Sequence, residues 1–464
     1  MRAGSAAGCD PDRVEALIED ERARFADTHP NSIRRFEAAH RQWLYGAPSH
    51  WMRRWIGGAP PCLVAGPPGW SAVVHDVDGH RYADFCLGDT GAMCGHGHPG
   101  IADALARQAS SVATAMLPSE DAARVGEALA ERFGLPRWTL ATSASDANRA
   151  CIRLARAVTG RPRVLVFSGC YHGSVEEAHV ELGEDGHRRL RNGIHDNAFP
   201  HGALSAVVHF NDVGALERVL AAGDVACVLT EPVMTNYGLV RPAPGFHEAL
   251  RRLTRQTGTL LVIDETHTVS DGPGGCTGSM GLDPDLLVVG KAIAGGLPAA
   301  AWGASAPVAE AIHRVLPRVS PWERQSAHAG FGGTLAGSAL TLAAMRVVLD
   351  EVLTPGAYET MHARAATLAE GTGRAIAAAG LPWLVDRIGA RTETMFSPDE
   401  PRDAADVRCS RQPRLEGLLH LWLLNRGVLM TPFHAMLLTC PVTSAEDVAL
   451  HVRAFTEFVE ALTS

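Results

Sequence analysis

Between Gly91 and Ser305, short apolar runs alternate with helix-length amphipathic stretches. Arg163 to Phe167, Val225 to Leu229, Leu260 to Ile263 and Leu286 to Val289 predict buried strands. Ala147 to Ala157, Val213 to Ala222 and Gly245 to Thr257 carry helical spacing and predict the helices between them. That alternation predicts an α/β fold, a mostly parallel sheet covered on both faces. Upstream, Asp12 to Phe25 and Ser32 to Tyr45 predict helices split by His29-Pro30-Asn31. Gly46 to Pro68 predicts a loop, and Ser71 to Phe85 a hairpin turning at Asp78-Gly79. Gly183 to Gly202 reads as a polar loop, and Thr334 to Leu353 as a long helix. Ser397 to Pro413 reads as a second loop and Leu415 to Arg426 as a helix. Thr443-Ser444-Ala445-Glu446 reads as a capping box for the last helix. Three regions follow: 1–90, with helices, loop and hairpin packing with the small domain; 91–335, a large α/β domain; and 336–464, a small α+β domain.

Composition narrows the classes. The chain has 464 residues, 46% hydrophobic and 20% charged, ordinary for a soluble globular protein. Its net charge of −9 is spread without blocks, and no basic, aromatic-bearing patch points to nucleic acid. A cofactor phosphate would therefore be held by local dipoles rather than by a bulk positive field. The ten cysteines form no C-x-x-C pair, which fits a reducing cytoplasm better than a disulfide framework. Met1 to Glu21 is polar, without a signal-peptide core, and no apolar run reaches membrane-spanning length. A cytoplasmic protein with no membrane or nucleic-acid partner and no metal site is expected.

One residue changes the picture. Lys291 is the only lysine among the 42 lysines and arginines. It stands between the apolar run Leu286 to Val289 and the cluster Gly295-Gly296. Arginine replaces lysine as a surface charge but not as an amine nucleophile, because its guanidinium stays protonated. Glu231 and Asp264, like Lys291, fall just beyond predicted strand ends, where parallel sheets bind ligands.

Leu260-Leu261-Val262-Ile263-Asp264-Glu265 would also suit the magnesium strand of an NTPase. That reading fails, because Lys291 is followed by Ala292 and no glycine stands five residues before Gly290. Pyridoxal phosphate asks for a lysine to form an imine, a carboxylate for the ring nitrogen, a flat side chain and an anion site at a helix start. Lys291, Asp264, Tyr171 and the stretch Thr142-Ser143-Ala144-Ser145-Asp146-Ala147 offer these. The last also reads as an ordinary helix cap, and Tyr171-His172 as a structural pair.

These motifs together resemble the class III aminotransferases, fold-type I pyridoxal-phosphate enzymes. Within that family the chain is most similar to the glutamate-1-semialdehyde aminomutase branch and related amino-acid transaminases. The similarity runs from Asp76-Val77-Asp78-Gly79 through Gly333-Thr334-Leu335-Ala336-Gly337 to the C-terminus. The resemblance implies Lys291 as the Schiff-base lysine and proton shuttle, and Asp264 as partner of the pyridine nitrogen. It implies Tyr171 and His172 beside the ring, Ser143, Ala144 and Ser145 at the phosphate, and Asn236 near the ring hydroxyl. Thr334 is implied to reach the partner subunit's phosphate, hence a homodimer.

The chain also departs from the family. Ser143-Ala144-Ser145-Asp146-Ala147 replaces the usual Ser-Gly-Thr-Glu-Ala. His267 stands where Gln or Met is common and offers a hydrogen bond to the ring hydroxyl. Leu438 and Asn236 occupy the positions of the arginine and glutamate that handle 2-oxoglutarate in many transaminases. A substrate carboxylate then needs another cation, with Arg53, Arg54 and Arg391 as candidates. Trp51, Trp55 and Phe433 are candidates for an apolar pocket wall. The expected activity is amino transfer between an amino acid or amine and a keto or aldehyde acceptor. An aminomutase and a catalytically diverted homologue are the alternatives.

Overall fold

A computed structural model describes residues 7–55, 60–194, 199–315 and 332–464. The chain forms two compact units: 1–99 with 356–400 and 408–464, and 100–355 with 401–407. These divide at 99/100 and 355/356 rather than at 90/91 and 335/336. Chain contacts, which sequence patterning does not report, carry the helix after Ser338 with the larger unit.

The larger unit is built on seven strands: β1 (Arg137–Ala141), β2 (Arg163–Phe167), β3 (Ser205–Val208), β4 (Val225–Thr230), β5 (Leu260–Asp264), β6 (Leu286–Gly290) and β7 (Ala300–Ala304). Their order is β1-β7-β6-β5-β4-β2-β3. β6, β5, β4, β2 and β3 run parallel, and β7 is antiparallel to both neighbours. β4 and β6 are buried at every residue, as a sheet covered on both faces requires. The four expected strands are present. β1, β3 and β7 were not foreseen; β7 is Ala-Ala-Trp-Gly-Ala, too short and small-residued to stand out from the apolar background.

Helix Ala144–Thr159 begins on Ser143, whose hydroxyl accepts from the Asp146 N–H, and stops at Gly160 with φ +71°. The expected polar loop 183–202 includes the end of a two-stranded hairpin, Val180–Leu182 with Arg188–Leu190, and a short helix, His201–Leu204. Its outward Arg and Glu side chains left no hydrophobic period to read. Residues 195–198 of that insertion, and 56–59 of the earlier loop, lie outside the described residues. The helix expected from Thr334 starts at Ala339, capped by Ser338, because residues 334–337 form turns ending at Gly337, φ +69°. Helix Ala404–Ser410 interrupts the second expected loop.

In the smaller unit, the first two helices run Pro11–Thr28 and Pro30–Ala39, and the second stops short of Tyr45 in turns closed at Gly46, φ +73°. The hairpin Val73–Asp76/Arg81–Asp84 forms as expected. The final capping box is closed by Ser444 and Asp447 rather than Thr443 and Glu446, since Ser444 is the residue with the non-helical cap conformation. None of the ten cysteines forms a disulfide. Among the described residues, no helix is long and apolar enough to cross a membrane.

Candidate active site

Adjacent strands β4, β5 and β6 end together. In register, Thr230 lies opposite Ile263 and Asp264 opposite Val288. Glu231, Asp264 and Lys291 therefore leave one edge of the sheet within a few residues of each other.

Asp264 is buried and accepts three hydrogen bonds: from Asn148 Nδ2 at 2.8 Å, His172 Nδ1 at 3.0 Å and the Thr266 N–H at 3.0 Å. Burial alone would raise its pKa. The His172 hydrogen bond and charge, with donation from Thr266 and Asn148, outweigh burial and hold the carboxyl below its ordinary value. For His172, burial works against charge, but Cys170 and Asp264 prevail and push the imidazole up to about 10. The carboxylate thus stays ionised in a dry site. A protonated ring nitrogen needs a partner of that kind.

Lys291 follows β6 with φ +52°, a conformation that costs an L-residue about 1–3 kcal/mol and is held only where surroundings enforce it. Its Nζ lies 2.6 Å from His267 Nε2. His267 Nδ1 meets Thr235 Oγ1 at 2.7 Å, and Thr235 donates to Glu231 Oε2 at 2.7 Å. The family resemblance offers His267 to the ring hydroxyl; its Nε2 lies at the lysine amine. Glu231 also accepts from the Tyr171 N–H at 3.3 Å. Asn236 is half-buried on the same turn as Thr235.

The helix start is available to an anion through its backbone. Thr142 and Ser143 hydroxyls donate to Asp146 at 2.8 and 2.9 Å, and Ser145 Oγ accepts from the Ser174 N–H at 2.9 Å. The Asp146 and Ala147 N–H groups are met by Ser143. That leaves the Ala144 and Ser145 N–H groups, with the positive end of the helix, for a phosphate. The helix start closes on the Tyr171-His172-Gly173 turn: a Cβ on Gly173, φ +75°, would fall 2.0 Å from Ser145 Oγ. These groups fit pyridoxal phosphate: an amine, an ionised buried carboxylate and a phosphate-ready helix start in one unit.

Four contributors escaped the sequence reading. Asn148 was legible as a polar residue on the buried face of helix Ala144–Thr159. Thr235, Thr266 and Arg191 gave no signal. Arg191 lies 5.8 Å from the rings of Tyr171 and Tyr237, and is brought there by the unforeseen hairpin.

The substrate candidates lie in the smaller unit. Arg54 sits 4.7 Å over the Trp51 ring and 5.9 Å from that of Phe433, beside a cleft of about 240 Å³ that includes Arg411, His420 and His434. Arg53 is exposed. Arg391 is fully buried: Nη2 donates to Thr90 Oγ1 at 2.7 Å, while Nε and Nη1 have no partner among the described residues. Thr334 is exposed on its turn.

A parallel sheet whose neighbouring strands deliver a shielded carboxylate and a strained lysine defines a fold-type I pyridoxal-phosphate enzyme. Residues 64–439 match the family model described as aminotransferase class-III. A crystal structure titled glutamate-1-semialdehyde-aminomutase, from Pseudomonas aeruginosa PAO1, is 51% identical, with a TM-score of 0.96 over 98% of this chain and 100% of that one. A beta-phenylalanine aminotransferase from Variovorax paradoxus is 27% identical, with a TM-score of 0.83 over 96% and 97%. The glutamate-1-semialdehyde 2,1-aminomutase of Roseiflexus castenholzii is 32% identical over 90% of both chains. The chain belongs to the class-III aminotransferase family, whose cofactor is pyridoxal 5'-phosphate.

Proposed function

We propose that the protein is an aminomutase acting on an amino aldehyde that bears a carboxylate, of the glutamate-1-semialdehyde class. It would move an amino group within one molecule. Site chemistry and the family resemblance favoured transfer between two molecules; the named relatives favour the intramolecular alternative. The observation that carries the chemistry is Asp264 and Lys291 on neighbouring strands, the carboxylate held ionised and the amine presented at the sheet edge. Supporting one substrate over two, the family resemblance matches Leu438, buried here, to the arginine with which many transaminases hold a second, dicarboxylic substrate.

When bound, the cofactor supplies an electrophilic carbonyl and an electron-withdrawing ring. Lys291 provides the amine that binds it and carries the proton at the amine-bearing carbon. Asp264 would keep a proton on the ring nitrogen. Tyr171, His172 and Asn236 would stand beside the ring. Ala144 and Ser145 hold the phosphate, with Ser143 at the same helix start. Within the smaller unit, Arg391 is a buried guanidinium whose unfilled donors an anion such as a carboxylate would stabilise.

A homodimer is part of this reading, with Thr334 reaching the partner's phosphate. Met116, Leu117 and Leu335 are 78%, 72% and 62% exposed, and the Leu340 N–H bonds to the Ala113 carbonyl at 3.1 Å, which joins the two segments that carry them. Such exposed apolar side chains suit a subunit interface.

The test is to incubate holoenzyme with glutamate-1-semialdehyde and no second carbonyl compound. The isomer with the amine shifted between carbons 1 and 2 should accumulate. Product that forms only when a keto acid or second aldehyde is added would return the protein to the transaminases.

A further inference from the structure

We propose that His267, supported by Thr235 and Glu231, is the proton acceptor for the Lys291 amine. This rests on Lys291 being the reactive amine. The chain of contacts is short throughout: Lys291 Nζ to His267 Nε2 2.6 Å, His267 Nδ1 to Thr235 Oγ1 2.7 Å, and Thr235 Oγ1 to Glu231 Oε2 2.7 Å.

The hydrogen bonds fix the tautomer. Thr235 has one hydroxyl proton, and the Glu231 carboxylate accepts it. Thr235 oxygen must then accept from His267, so the imidazole proton is on Nδ1. Nε2 is left with its lone pair directed at the lysine nitrogen. His267, Thr235 and Glu231 are all buried, so water does not compete for these positions. Glu231 is fixed further by the Thr235 and Tyr171 N–H groups at 3.2 and 3.3 Å.

The step balances without a co-reactant. A proton leaves Lys291 Nζ for His267 Nε2, giving a neutral amine and an imidazolium. The positive charge is compensated by Glu231, whose Oε2 lies 3.9 Å from His267 Nδ1. The proton returns along the same hydrogen bond. Lysine thereby regains a nucleophilic lone pair with no exchange to solvent.

Other titratable groups bear on His267. Lys291 follows β6 and Glu231 follows β4. On its own turn, Asp264 is paired with His172, and Glu265 is held by Thr268, Thr277 and the Cys276 N–H. Asp264 and Glu265 are thus committed to other partners.

The single lysine makes a direct test practical. Cofactor-free full-length protein is treated with cyanate, which carbamoylates only unprotonated amines. Modification of the Lys291 peptide is followed by mass mapping across pH, and the α-amino group is scored separately. His267→Phe should slow Lys291 modification at least tenfold relative to wild type at the same pH. His267→Gln keeps a donor for Thr235 and an acceptor for lysine but cannot take a proton, so it should react as slowly as His267→Phe. Glu231→Gln should slow modification too. Equal rates in wild type and both His267 variants, or full rescue by glutamine, would overturn the relay. Should His267→Phe not fold, the glutamine variant decides alone. A wild-type profile as expected, in a protein that isomerises nothing, would remove the proposed reaction and leave the relay standing.

Discussion

His172 donates from Nδ1 to the Asp264 carboxylate across 3.0 Å, with both side chains buried. Neither charge would be stable in this environment alone. The imidazolium keeps the carboxylate ionised, and the carboxylate keeps the imidazole protonated.

The pair sets a pH dependence with a defined sign. His172 is raised from 6.5 to about 10. The stability it contributes is whole below its unfolded value and is lost as pH rises through about 10. Asp264 is lowered, so its contribution is present above its unfolded value and is lost as pH falls through its folded one. The urea-unfolding gap between wild type and His172→Asn should be widest near roughly pH 5 to 6.5 and should close toward pH 10. A constant gap over that range would mean that His172 is neutral in the fold.

Lys291 offers a second prediction. Borohydride reduction of the holoenzyme should leave a stable cofactor adduct on the peptide containing Lys291. Lys291→Arg keeps charge without a transferable amine, so its turnover should fall by at least about 1,000-fold and no adduct should form. An adduct elsewhere would leave only the N-terminal amine as its source.

Arg391 is expected to trade stability for binding. Arg391→Met replaces a buried guanidinium, with two unfilled donors, by an apolar side chain of comparable length. Melting temperature should hold or rise, because an uncompensated buried charge opposes folding. KM for a carboxylate-bearing substrate should rise at least tenfold, while amines without a carboxylate lose nothing. Equal losses for both classes would assign Arg391 to the framework.

Subunit association should depend on the exposed apolar segments. Leu117→Glu or Leu335→Glu places a charge where the homodimer would exclude water. Sedimentation should show a shift toward monomer and, with Thr334 withdrawn from its neighbour, weaker cofactor retention. A dimer unaffected by both changes would put the interface elsewhere.

Much of this protein was legible in one dimension. Continuous apolar runs marked β2, β4, β5 and β6, because a sheet buried on both faces leaves polar residues no place. The lone lysine, and a carboxylate at a strand end, marked the chemistry, because no other side chain substitutes for either. The parts that escaped are those fixed by neighbours distant in sequence. The antiparallel β7 and the hairpin that carries Arg191 have little hydrophobic period. Arg391 stood among three candidate cations, and only packing set it apart by burying it. His267 was visible as a departure, but its direction was not: whether Nε2 faces a ring or the lysine depends on where Thr235 and Glu231 stand, and those come from another strand. Sequence sets which groups exist and which segments must be buried; the pairing of strands decides which of those groups can share a proton.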